Sequence, residues 1–227
     1  MDAPPAIISL LTDFGDRDEY VGVMKGVMLR HAPHAVLVDL CHHIIPHDIG
    51  QAAAMIAAAY RFFPEGTLHV MVVDPGVGGQ RDIVFAQAQS CGFICPDNGL
   101  LSGLIAQNVL HTAWRVTNPA LFAPTISATF NGRVIMAPVA GFLASGGDPE
   151  KIGPRKAIED LACQAFPAAR QEADGTLWGT VVAVDRFGNV VTNIGRGLLT
   201  SVREDDLKQV SMIKIGNRPA IPLVAAY

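Results

Sequence analysis

Three aspartates crowd the end of an apolar run near the start of the chain: in LLTDFGDRDEY, residues 10–20, they are Asp13, Asp16 and Asp18. Open α/β sheets bind ligands at the carboxyl ends of their strands, and an ionised carboxylate there accepts hydrogen bonds without donating any. The local alternative is that Asp13 or Asp16 caps the helix that follows. Spacing alone leaves both open. Asp-Phe-Gly also occurs in protein kinases, but neither a GxGxxG loop nor a His-Arg-Asp catalytic loop accompanies it, which excludes a kinase. A second segment, VVDPGVGGQR at residues 72–81, puts Asp74 at another strand end, with Arg81 closing a glycine-rich stretch. The glycine spacing is GxGG, and the next residues, DIVFAQAQ, alternate like a strand where a dinucleotide fold requires a helix. A turn closed by an Asp74–Arg81 ion pair and a reacting acid with a guanidinium partner both fit.

Metal chemistry has weaker support. Five of the seven histidines lie between His31 and His47, yet His42 and His43 are adjacent and point to opposite faces of an extended segment. Neighbouring carboxylates are few and HExxH is absent, so no metal is expected. Cys91 and Cys95, four apart on a strand, stand about 13 Å from each other, too far to share one tetrahedral ion. Three further segments, PDNGLL (96–101), TFNGRVIMAP (129–138) and VDRFGNVVTNI (184–194), gather Asn, Asp and Gly; each taken alone reads as a turn.

The elements that must carry these residues follow from hydrophobic patterning. Apolar runs at 6–11, 35–40 and 67–73 read as buried parallel strands. Helical periodicity over 20–29 and an Ala-rich stretch over 49–60 separate them. Strand and helix in alternation imply right-handed crossovers and a parallel α/β sheet. Further strands are expected at 83–89, 92–95 and 113–116, and a helix over 129–144. Between 145 and 175 the pattern weakens, with a short helix near Ile158. The expected division is an N-terminal α/β domain over 1–165 and a small C-terminal β domain, barrel-like, over 172–227. Strands of the second are placed within 176–194 and 211–223. At about 50 residues the second unit is marginal as an independent core.

Composition narrows the partners. Half of the 227 residues are hydrophobic and only 17% are charged, against about 25% in average globular proteins, with mean hydropathy +0.31. So much apolar surface predicts an oligomer. A net charge of −4 without a basic stripe argues against nucleic acid. The apolar run at 52–60 falls well short of the roughly 18 residues of a membrane span. The opening MDAPPA carries an acid where a secretory leader carries positive charge, which predicts a cytoplasmic chain. Four dispersed cysteines predict free thiols.

Taken together, LTDFG, YVGVMKG, FFPEGTLHV, VVDPGVG, PDNGLL, TFNGR, MAP and DRFGNVVTNI resemble, in order, the motifs of the S-adenosyl-L-methionine hydroxide adenosyltransferases, relatives of the fluorinases and chlorinases. The likeness runs along nearly the whole chain. It implies a larger α/β domain joined to a smaller β domain and a homotrimer with sites between subunits. It also implies attack of water on C5′ of S-adenosyl-L-methionine, giving adenosine and methionine with no cofactor or metal. By the same resemblance Asp13 holds the ribose hydroxyls, Asp18, Tyr20 and Gly132 line the pocket, Asp185 and Asn189 bind the methionine amino group, Phe187 packs on adenine, and Tyr227 stacks on the substrate. Asp74 and Arg81 match two members of the family's water-activating triad. The third, a histidine in TFHGRD, is Asn131 here, and the acid after it is Val134. An amide orients water but takes no proton at useful pH. The chain also stops at Tyr227, before the family's final strands. The resemblance therefore implies a hydrolase or, alternatively, a nucleoside-binding protein of the same fold with little turnover. Halogenation is disfavoured, because Asp74 stands where halogenases carry a Tyr and would repel a halide.

Overall fold

The computed structural model describes residues 6–124, 130–164, 168–195, 198, 214, 216 and 217. Met1–Ala165 and Phe166–Tyr227 form two compact units. In the first, β1 (Ile7–Thr12), α1 (Tyr20–His31), β2 (Val36–Cys41), α2 (Ile49–Ala59) and β3 (Thr67–Val72) alternate as the periodicity requires. β4 (Ile83–Ala88), β5 (Cys91–Pro96), α3 (Ser102–Ala106), β6 (Leu110–Arg115), α4 (Ala137–Ala144) and β7 (Arg155–Lys156) follow.

The seven strands form one sheet in the order β2-β1-β3-β5-β4-β6-β7. β2, β1, β3 and β5 run parallel, whereas β4, β6 and β7 join by antiparallel pairing. The expected parallel sheet is thus a mixed one. Only Gln89 and Ser90 separate β4 from β5, and a link that short closes a hairpin, since a parallel crossover needs a dozen residues or more.

Helices cover both faces. Ala52, Ile56 and Ala57 of α2 pack with Leu11, Met71 and Phe93 on one side; Met24 and Met28 of α1 and Val139 and Ala140 of α4 pack with Ile8, Leu10, Val70 and Ile94 on the other. β3 is buried along its whole length, on both faces, including the polar Thr67 and His69 within its mainly apolar sequence. Asp48 caps α2, its carboxylate accepting from Gln51 N–H at 2.8 Å. At α1 the N-cap is Glu19, without a side-chain cap bond, so neither Asp13 nor Asp16 serves there. Ile158–Asp160 is a single 3-10 turn.

The second unit contains two antiparallel pairs, β8 (Arg170–Gln171) with β9 (Leu177–Trp178) and β10 (Val181–Val184) with β11 (Val190–Thr192). Among the described residues these are two separate antiparallel two-stranded sheets, and no barrel-like closure is seen among them. The strand expected at 211–223 lies outside the described residues except for 214, 216 and 217. Among the described residues no helix is long and apolar enough to cross a membrane. All four cysteines are free.

Candidate functional site

A cavity of about 350 Å³ opens where β1 and β3 end and the helical segment after Asn131 begins, with Asp13, Tyr20, Asp74, Asn131 and Gly132 on its wall. These belong to three separate motifs, and the parallel pairing of β1 with β3 is what puts two of the strand ends side by side.

The Asp13 side chain is only 9% exposed. One oxygen accepts the His47 N–H at 2.9 Å, which the left-handed backbone of His47 (φ 69°) turns toward it. The turn around Asp13 is held from behind. Thr12 Oγ1 accepts the Phe14 N–H at 3.3 Å and lies 2.9 Å from His42 Nδ1. His42 Nε2 in turn lies 2.9 Å from Asp39, which pairs with Lys25 at 2.6 Å. Desolvation raises the Asp39 pKa, but the Lys25 and His42 hydrogen bonds outweigh it and leave the carboxyl below its ordinary value.

Asp74 and Arg81 form an ion pair with side chains 6% and 14% exposed. The guanidinium also donates to Gly76 O, folding back across its own loop, and desolvation lowers its pKa. Asp74 faces the cavity while Arg81 stands outside its wall, so the turn ion pair and an acid with a guanidinium partner are one arrangement. Asp74 Oδ1 is buried without a hydrogen-bond partner among the described residues, an acceptor left for something that enters. The loop is braced at its start by Asn98, whose amide donates to Val73 O at 2.9 Å. That bond gives Asn98 of the PDNGLL segment its role.

Asn131 precedes a turn of π-helix, Gly132–Met136, that runs into α4. Pro138 has no N–H for the Val134 carbonyl, which instead accepts from Ala123 N at 2.9 Å. A side chain at Gly132 would meet Met24 Sδ at 3.0 Å and Val72 Cγ1 at 3.5 Å, so glycine is what lets Asn131 approach β3 and α1.

The remaining wall is apolar and aromatic. Tyr20 packs between Phe14 and Phe130, with ring centroids 5.5 and 5.7 Å apart, and the Arg133 guanidinium lies 4.8 Å from the Phe130 centroid. Phe14, His47, Val77 and Phe130 were not singled out from the sequence; Phe14 and Phe130 sat inside quoted motifs, and His47 ended the histidine cluster. Among the described residues no group of three or more His, Cys, Asp or Glu is placed to hold a metal ion.

Other expected residues lie elsewhere. Asp18 is exposed and outside the cavity wall. In the second unit Asp185 accepts the N–H groups of Phe187 and Asn189, each at 2.8 Å, and the Asn189 amide at 2.7 Å, closing the turn between β10 and β11. Phe187 is 81% exposed at its tip. Tyr227 lies outside the described residues. What the cavity offers is the carboxylates of Asp13, Glu19 and Asp74 and the Asn131 amide within aromatic walls, suited to orienting a flat ligand with hydroxyl groups and a water molecule beside it.

Residues 8–153 match a family model described as the SAM hydroxide adenosyltransferase N-terminal domain. The chain is 35% identical, over 94% of its length and 79% of the relative's, to a protein of Salinispora arenicola named (R)-S-adenosyl-L-methionine hydrolase. It is 31% identical to a fluorinase of Nocardia brasiliensis, over 84% of this chain and 72% of that one. A conserved protein of Thermotoga maritima has a similar crystal structure, with TM-score 0.81 and 34% identity over 86% of this chain and 74% of that one.

Proposed function

The chain belongs to the SAM hydroxide adenosyltransferase family, and from that premise we propose that it hydrolyses S-adenosyl-L-methionine to adenosine and L-methionine. The observation that carries this reading is the Asp74 carboxylate, backed by Arg81 and sharing one cavity with Asn131 and Asp13. A bond forms between water oxygen and C5′ as the C5′–S bond breaks, and its electron pair returns to sulfur. The leaving group is a neutral thioether and needs no proton. Attack by neutral water first yields a protonated alcohol, strongly acidic, which gives its proton to Asp74. The protein's task is chiefly to orient and desolvate: Asp13 accepts from the ribose diol, while Asp74 Oδ1 and the Asn131 amide fix the water. Tyr20 and Gly132 complete the wall, and Asp18 acts from the loop beside it.

The finer reading keeps the domains at 1–165 and 172–227 and places the chain in the cytoplasm as a homotrimer. Asp185, Phe187, Asn189 and Tyr227 then complete the site from a neighbouring subunit. Exposed Phe187 (81%) and Trp178 (53%) support a covered surface there, and a heterologous contact of this kind must close into a ring. Mixing inactive Asp74→Ala and Asp185→Ala chains should restore some activity; none would refute shared sites.

The deciding measurement is incubation with substrate in ¹⁸O-water. Label in the adenosine 5′-hydroxyl establishes hydrolysis at C5′. Unchanged substrate with measurable binding would instead favour the second reading, a nucleoside-binding protein, to which Asn131 in place of a base lends support. Chloride or fluoride should give no 5′-halo product.

A further inference from the structure

Lys156 lies on β7, at the edge of the sheet farthest from β2. Its ammonium nitrogen is 3.0 Å from Asp82 Oδ2 and 2.6 Å from Asp97 Oδ2, with the lysine side chain 15% and the aspartates 23% and 7% exposed. None of the three lines the cavity, yet each aspartate neighbours a residue that controls Asp74. Asp82 follows Arg81, the partner of Asp74. Asp97 precedes Asn98, whose amide holds Val73 O one residue before Asp74. The Asp97 N–H also donates to Asp82 O at 2.9 Å, and Asp97 Oδ1 accepts from Ala162 N at 2.7 Å. Both ends of the loop carrying the Asp74–Arg81 pair therefore rest on two carboxylates bridged by one ammonium.

We propose that Lys156 is a positioning residue that clamps the two ends of this loop and so keeps Arg81 aligned on Asp74, a role that rests on the function proposed above. Without the ammonium, Asp82 keeps Arg115 at 3.0 Å, but Asp97 is left with no cation and faces a like charge. Two nearby carboxylates that cannot share a cation repel. Asp97 must take up a proton or swing away, moving Asn98 and Asp82 with it. Desolvation by itself lowers the Lys156 pKa, but the two aspartates outweigh it and raise it, in keeping with an ammonium held between carboxylates.

The test reads Asp74 itself. In ¹³C-carboxylate NMR of the whole chain, with Asp74→Asn assigning the resonance, Lys156→Met should shift the Asp74 titration upward by about one pH unit, because a carboxylate that loses its guanidinium is easier to protonate. Lys156→Arg should restore it. Asp13, Glu19, Tyr20, His47 and Arg133, the other ionisable groups on the cavity wall, are the same in every variant. In turnover, kcat should fall about 10²-fold with KM nearly unchanged, and the acid limb of the pH profile should move with the titration. If Lys156→Met does not fold, Asp97→Asn, which opens the bridge from the other side without leaving a carboxylate unpaired, should shift Asp74 in the same direction. An unmoved Asp74 titration in a folded variant overturns the clamp. A wild-type chain that makes no adenosine sinks the proposed function alone, because the titration still decides the clamp.

Discussion

At the scale of the residue, the proposed hydrolysis turns on position 131, on the cavity wall. The Asn131 amide can hold a water but cannot take its proton, so in the proposed hydrolysis proton removal would fall to Asp74, whose second oxygen is already engaged by Arg81. An imidazole at 131 adds a base on the same wall. Asn131→His should raise kcat on the order of 10²-fold if base assistance is what the site lacks, measured as adenosine formed at saturating substrate. An unchanged rate would mean that the protonated alcohol loses its proton fast enough without help. Truncation of either ion-pair partner, Asp74→Ala or Arg81→Ala, should abolish adenosine formation, with circular dichroism unchanged because both lie in the loop between β3 and β4.

At the scale of the element, the two helices beside the cavity make opposite demands on glycine. A Cβ at Gly141 of α4 would lie 2.6 Å from His31 Cβ and 2.8 Å from Met28 O of α1, whereas at Gly26 of α1 it would meet nothing within 4 Å. Alanine gains up to about 1 kcal/mol of helix propensity at either site, but overpacking costs about 1 to 3 kcal/mol where the helices touch. Gly141→Ala should therefore lower the urea midpoint and Gly26→Ala raise it. The same sign for both would remove the close helix contact as the explanation. This contact matters to the site because α1 begins at Tyr20 and α4 continues the turn that starts at Asn131.

At the scale of the whole molecule, acid stability is governed from the middle of the sheet. His69 on β3 is buried, 2.6 Å from Ser9 Oγ through Nδ1, stacked on Phe93 and edge-on to Phe63. Its Nε2 has no hydrogen-bond partner among the described residues, and desolvation lowers its pKa from 6.5 to about 4. Between those values the unfolded chain binds the proton that the folded one refuses, so the contribution to stability is complete above pH 6.5 and is lost as pH falls toward 4. From pH 7.5 to 5 the loss should be about 2 kcal/mol. Urea unfolding at the two pH values should show it in the wild type and not in His69→Gln; equal losses would assign the acid sensitivity to other groups.

Sequence alone determined the first five elements and the acids that follow two of their strands, whereas α3, β7 and the π turn ahead of α4 were not legible in it. The apolar runs of β1, β2 and β3, the periodicity of α1 and α2, and the place of Asp13 and Asp74 just past two strands are all properties of neighbouring residues, which local spacing encodes. The tertiary structure decided which distant residues meet. His47 reaches Asp13 across 34 positions, and Lys156 reaches Asp97 across 59 and Asp82 across 74. No local pattern announces such pairs, because they depend on the order of strands in the sheet. The antiparallel turn of β4 onto β5 sets that order on this side, bringing Asp82 and Asp97 together under one ammonium. In the same way, the Val134 carbonyl, which Pro138 cannot serve, finds its donor in Ala123 N–H outside the helix. Local spacing fixes where a side chain leaves the backbone; burial and pairing across the sheet fix what it finds there.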